Sequence, residues 1–284
     1  MMNALPDLAE LRRWIGKEET VEELLTATLA DRFHATLSLD GAAATTGEAA
    51  PRLIHFCLCQ PTAPMDALGR DGHPARGGFL PPVPLPRRMW AASDIRFHGD
   101  LRVGDAVRRR SRITDVVLKQ GRTGPLCFVT VDHAFTVGGE TRAEDRHIIV
   151  YRSEQSDAKP PPPAAPAPAG DTTNVVNPTP TLLFRYSALT FNGHRIHYDA
   201  PYATTVEGYP GLVVHGPLQA TLLLHMAARL QGREPDIFSF RNQSTLYDSE
   251  DMILHSGPVT EGAMPLWTAR ASGPVAMQAE ARWL

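Results

Sequence analysis

Residues 192–216 hold three histidines, His194, His197 and His215, together with Asn192, Arg195, Asp199 and Gly216. Loops that only connect elements rarely gather so many groups able to carry or orient a proton, so an active site is expected here. An imidazole titrates at about 6.5 when unperturbed, so His197 suits a base or acid near neutrality. Asn192 offers a carbonyl acceptor and an NH2 donor and could orient a water. Gly216 precedes the apolar run PLQATLLLHMAARLQG. That run reads as a helix over 217–231, with Pro217 in its first turn and Gly232 at its end. The start of such a helix presents unpaired N–H groups and about half a unit of positive charge. Gly216 has no side chain, so a carbonyl could approach its N–H closely. A base, a water-holder and an oxyanion donor together suit the addition or removal of water beside an activated carbonyl.

The elements that must hold this segment fall into two halves. Residues 153–173 read SEQSDAKPPPPAAPAPAGDTT. Pro160 to Pro163 fix φ and remove backbone donors, so the segment is expected to be an extended linker. Residues 1–152 and 174–284 are then each long enough for a domain. In the first half, Leu8, Leu11, Trp14 and Ile15 share a helical face that ends at Gly16. Thr20 with Glu23 reads as the capping box of a second helix over 20–37, with Leu24, Leu25, Leu29, Phe33 and Leu37 apolar. Strands are predicted over 94–98, 105–117, 127–135 and 146–151, with a hairpin loop over 119–125. Residues 77–90, GGFLPPVPLPRRMW, read as irregular and proline-locked. In the second half, TLLFRYSALT (181–190) reads as a strand, and short antiparallel strands are expected after the 217–231 helix. The order is α+β, with no βαβ repeat and no glycine-rich phosphate loop of either common spacing.

YSALTFNGHRIHYDAPYA, followed by GLVVHGPLQATLL, resembles the hydratase-2 motif of MaoC-like hot-dog enzymes. The resemblance implies that His197 is the catalytic histidine and that the Gly216 N–H holds a thioester oxygen. It also exposes a departure. Asn192 stands where the family has a catalytic Asp, and His194 and Arg195 stand where it has Asn and Pro. FN-x-H-R-IHYD is similar to the hydroxyacyl-thioester dehydratases type 2. DGHPARGGFLPPVPLPRRMWA, residues 71–91, resembles the 3-methylfumaryl-CoA (mesaconyl-C4-CoA) hydratases and their itaconyl-CoA relatives. This resemblance implies a double hot-dog, in which two antiparallel sheets each wrap a long central helix, here 20–37 and 217–231. It implies a non-catalytic first half that shapes the acyl and CoA site. It further implies reversible hydration of a branched C5 dicarboxylic enoyl-CoA to citramalyl-CoA, with no cofactor beyond the substrate's own coenzyme A. The free carboxylate of such a substrate calls for a bidentate arginine. Candidates are Arg87, Arg88, Arg195 and Arg241, with Arg87 and Arg88 favoured. His194 and His215 are expected to support the substrate or brace the helix.

Composition narrows the alternatives. The net charge of −3 among 284 residues argues against a general nucleic-acid binder. No apolar run reaches the roughly 18–20 residues of a membrane span. MMNALPDLAELRRW reads as neither signal nor transit peptide, so cytoplasm is expected. Three cysteines make no disulfide framework, and Cys57-x-Cys59 reads as buried small hydrophobes. His194, His197 and Asp199 have a spacing that permits a metal, but none is expected. A homodimer is a possible assembly. The competing functions are a dehydratase of general acyl chains, a thioesterase, and a non-catalytic acyl-CoA binder. The thioesterase is disfavoured because 217–231 contains no Asp or Glu.

Overall fold

The computed structural model describes residues 7–39, 44–121, 124–153 and 164–284. Helix α1 (Leu8–Arg12), strand β1 (Glu18–Leu24) and helix α2 (Ala27–Leu37) open the chain. Strands β2 (Arg87–Phe97), β3 (Ala106–Gly121), β4 (Gly124–Val137) and β5 (Glu140–Arg152) follow. The second half holds β6 (Thr172–Val176), α3 (Pro180–Leu189), α4 (Gly216–Gln231), β7 (Ile237–Asn242), β8 (Met252–Ser256), β9 (Ala263–Ala269) and β10 (Val275–Arg282).

Two elements differ in kind from the sequence reading. The helix expected from Thr20 begins instead after Thr26, whose hydroxyl accepts from Leu29 N at 3.1 Å. Residues 18–24 are a strand because their glutamates meet arginines across the ladder. Glu18, Glu19 and Glu22 bond Arg110, Arg109 and Arg108 of β3. Glu23 accepts from Cys59 N and so caps no helix. The strand expected over 181–190 is α3. Thr179 caps it and Pro180 fits its first turn. Leu183, Tyr186 and Ser187 are buried at helical spacing. The proline-locked segment is also shorter than expected, because Arg87–Trp90 already belong to β2. β6 starts within the stretch read as linker, while Pro160–Pro163 lie outside the described residues.

The strands form one sheet in the order β1-β3-β4-β5-β2-β7-β10-β9-β8-β6. From its outer edge inward, the second half repeats the strand order of the first. β2 and β7 meet antiparallel at the centre, with Ala92 opposite Arg241 and Arg96 opposite Ile237. The two five-stranded units thus share a continuous ladder. α4 packs on β7, β8, β9 and β10, and buries Leu218, Leu223, Leu224 and Met226. α2 buries Ala30, Phe33 and Leu37 and packs on α3. One apolar core joins both helices across the halves. Each fully buried Leu or Phe contributes about 1.5–3 kcal/mol before entropy is counted. This is an α+β double hot-dog.

A second core explains the proline-locked segment. β3, β4 and β5 run long and bury Ile113, Val116, Val129, Val131 and Tyr151 against Val83 and Leu85 of that segment and Leu11 of α1. The segment is a rigid wall on the sheet. Among the described residues no helix is long and apolar enough to cross a membrane.

Candidate active site

α3 delivers the chain to the site and stops there. Phe191 takes a positive φ of 47°, and Asn192 N bonds back to Ser187 O at 2.8 Å. The Asn192 carboxamide oxygen accepts from His194 N at 3.0 Å, closing an Asx turn. A single tight turn, Arg195–His197, then aims His197 inward.

His197 is buried, 8% exposed. Its Nδ1–H donates to the Val213 carbonyl at 2.7 Å. A carbonyl can only accept, so Nε2 is the nitrogen left with a lone pair. Burial pushes the His197 pKa down to about 4, against the opposing pull of the Val213 bond. The ring is therefore neutral at pH 7. It stacks on His215, with centroids 3.7 Å and planes 19° apart. His215 Nε2 bonds the Ser187 hydroxyl at 2.8 Å, and burial holds this imidazole well below its ordinary value too. His215 is the N-cap residue of α4, though its side chain caps no N–H.

Gly216 lies tight against a neighbouring side chain. A Cβ there would lie 2.6 Å from Asn242 Nδ2. Asn242 ends β7 and donates to the Trp90 carbonyl at 2.8 Å. The Gly216 N–H itself has no hydrogen-bond partner among the described residues. Asn242 escaped the sequence reading because nothing near it in sequence marks it.

The arginine candidates separate by what they touch. Arg195 bonds Asp199 through Nε at 3.0 Å and Nη2 at 2.8 Å, and stacks over Tyr202 at 4.0 Å. Arg87 donates to the Glu207 carbonyl at 3.0 Å and lies over the Tyr209 ring. Arg241 is exposed and, by strand alternation, faces away from Asn242. Arg88 is half-buried and makes no salt bridge among the described residues. Its charge helps to hold the pKa values of His73 and His194 down.

The first half reaches the site through residues 69–76. Gly72 and Gly193 meet backbone to backbone: a Cβ on Gly193 would lie 2.7 Å from Gly72 O, and one on Gly72 would overlap Gly193 O. Arg195 N donates to Asp71 O at 2.9 Å and fastens the two segments. This seats His73 against His194, 4.1 Å between centroids, and His194 stands edge-on to His197 at 5.3 Å. Asp71 accepts from His73 Nδ1 at 3.0 Å and from His73 N at 3.1 Å. Their polar atoms and those of His194 lie within 4.8 Å, close enough to share a cation. His73 Nδ1, however, is bonded to the Asp71 carboxylate at 3.0 Å. The arrangement favours hydrogen bonding. Asp71 and His73 lie inside the 71–91 stretch, yet only the fold brings them to His197.

A second polar group sits inside the first half. Asp145 is buried and accepts from the Ser93 hydroxyl and from His147 Nε2 at 2.8 Å, with His55 Nε2 at 3.4 Å. The cysteines are buried free thiols, and burial pushes Cys57 up to about 12 and Cys127 to about 11.

The architecture is the hot-dog fold, and the family match gives its class. Residues 52–248, more than half the chain, match the family described as hydroxyacyl-thioester dehydratase type 2. The chain belongs to that family and is a hydro-lyase. It is 46% identical over 251 residues to the mesaconyl-C4-CoA hydratase of Chloroflexus aurantiacus, covering 88% of this chain and 90% of that one. It is 26% identical over 196 residues to the mitochondrial hydroxyacyl-thioester dehydratase type 2 of Schizosaccharomyces pombe, covering 60% and 64%. The fold is also that of a MaoC-like dehydratase from Phytophthora capsici, with TM-score 0.71, 13% identity, and 98% and 99% coverage. A Mycobacterium tuberculosis protein described as a double hot-dog gives TM-score 0.57, 15% identity, and 94% and 96% coverage.

Proposed function

We propose that the protein hydrates a branched C5 dicarboxylic enoyl-CoA, mesaconyl-C4-CoA foremost, to citramalyl-CoA. The observation that carries the reading is the His197 tautomer. Its Nδ1–H is spent on Val213, and its free Nε2 belongs to a ring stacked on His215, the residue just before Gly216 and α4. In the proposed reaction His197 Nε2 takes a proton from water as the oxygen adds to the β-carbon. The π electrons move to the thioester oxygen. Gly216 N–H and the dipole of α4 hold the enolate that forms. The α-carbon then takes a proton from within the site. Asn192 cannot carry a proton, and its carbonyl is occupied by His194 N. Its NH2 group remains to orient the water.

Arg88 is the proposed partner of the substrate's free carboxylate, because Arg87 and Arg195 are already engaged by Glu207 and Asp199. The 46% identity to a mesaconyl-C4-CoA hydratase supports the same substrate class. The test is the loss of enoyl-thioester absorbance on mixing the protein with mesaconyl-C4-, itaconyl- and crotonyl-CoA. Fastest loss with a dicarboxylic thioester supports the reading. Fastest loss with crotonyl-CoA overturns the substrate, and no loss with any overturns the reaction.

A further inference from the structure

His197 handles its proton without a counter-charge. Its one polar partner among the described residues is a neutral carbonyl, and the ring is buried. An imidazolium there is unfavourable, and a site that moves two protons per turnover gains from a second, better-balanced group. The structure places one across His194 from it. His73 keeps its Nδ1–H on the Asp71 carboxylate at 3.0 Å, so Nε2 is free to hold a second proton against a fixed negative charge. The Gly72–Gly193 contact and the Arg195 N–H to Asp71 O bond lock this pair onto the segment that carries His194 and His197.

We infer that Asp71 and His73, from the first half, are the second proton-transfer pair of the site, with His73 Nε2 giving the α-carbon its proton while His197 takes one from water. The inference rests on the hydratase reading above and adds a catalytic role for the first half. The step balances. A water O–H bond breaks, its proton goes to His197 Nε2, and its oxygen forms the bond to the β-carbon. The enolate pair then forms a C–H bond at the α-carbon with the proton of imidazolium His73. His73 is left neutral and His197 charged, and exchange with solvent returns the proton.

The groups facing His73 also tie this step to substrate charge. Burial lowers its pKa, Arg88 and Arg76 push the same way, and Asp71 opposes them. His194, packed on its ring, is held neutral by burial and by His73 itself. A substrate carboxylate seated on Arg88 cancels one opposing charge. The pair then gains its proton when a dicarboxylic thioester binds.

The experiment compares wild type, His73→Gln, Asp71→Asn and His73→Gly on mesaconyl-C4-CoA, reading kcat, KM and the pH profile. His73→Gln is expected to lower kcat about 100-fold with KM within about threefold. Asp71→Asn lowers the pKa of His73, so the alkaline fall of kcat moves to lower pH. Added imidazole restores part of the activity of His73→Gly. If wild type hydrates the substrate and His73→Gln keeps kcat within about threefold with an unmoved profile, the inference is overturned alone. Loss of activity together with lower thermal stability and no imidazole rescue marks a structural role and also overturns it. Wild type inactive on every thioester overturns the hydratase reading and this inference with it.

Discussion

The Nδ1–H of His197 rests on the carbonyl of Val213 at 2.7 Å, and Val213 N–H returns a bond to Ile196 O at 2.9 Å. The two bonds close a small bridge that sets both ring direction and tautomer. They also set a pH limit. Burial places the His197 pKa at about 4, so the base is lost only as pH falls through that value. The acid limb of kcat/KM should therefore lie near pH 4. An acid limb near 6.5 would mean that His197 is not the base or is not buried.

The Gly72–Gly193 contact predicts a cost confined to the join between the halves. Gly72→Ala adds a Cβ at φ +86° that overlaps Gly193 O. Such strain costs on the order of 1–3 kcal/mol. Urea unfolding should show a lower midpoint, with activity falling in step because the same contact seats His73. Unchanged midpoint and activity would show that the two segments do not touch this closely.

Much of this was legible in sequence, and the failures have physical causes. α4 was readable because Pro217 and Gly232 punctuate a long apolar run. β1 was not, because Thr20 and Glu23 imitate a capping box while Arg108–Arg110, distant in sequence, decide the matter. α3 reads as a strand because its apolar ten-residue run carries little periodicity, and its start signal, Thr179-Pro180, lies just ahead of that run. His197 and Gly216 stood out from local spacing. Asp71, His73 and Asn242 did not, since each reaches the site only through the closed fold.

Arg87 and Arg88 are adjacent in β2 and should behave oppositely. Losing a charged hydrogen bond to substrate costs about 1.5–3 kcal/mol, or roughly 10- to 100-fold. Arg88→Ala is therefore expected to raise KM for mesaconyl-C4-CoA by that factor and to leave crotonyl-CoA nearly unaffected. Arg87→Ala breaks the tie to Glu207 and should lower thermal stability more than KM. Equal effects of Arg88→Ala on both thioesters would remove it from the carboxylate site.

Acid should loosen the fold before it protonates the carboxylates. Burial lowers the folded pKa values of His197 and His225 to about 4, and those of His133 and His215 well below their ordinary value. The unfolded chain binds these protons at about 6.5. The stability contributed by neutral histidines is thus complete above 6.5 and is lost as pH falls from there toward 4. Burial pushes the Asp145 pKa up, but His147 and His55 together outweigh it and hold it low, so Asp145 adds its own loss only below about pH 4. Thermal melts should show a lower Tm at pH 5 than at pH 7.5. A Tm that is level or higher at pH 5 would show that these imidazoles are hydrated.

The proposed role of His197 is that of the base of an enoyl-CoA hydratase. Its most direct measurement is the enoyl-thioester absorbance of mesaconyl-C4-CoA mixed with wild type and with His197→Ala. A steady fall is expected with wild type and, with a folded His197→Ala, a rate lower by about 100-fold or more. Hydration by His197→Ala at near the wild-type rate would contradict it.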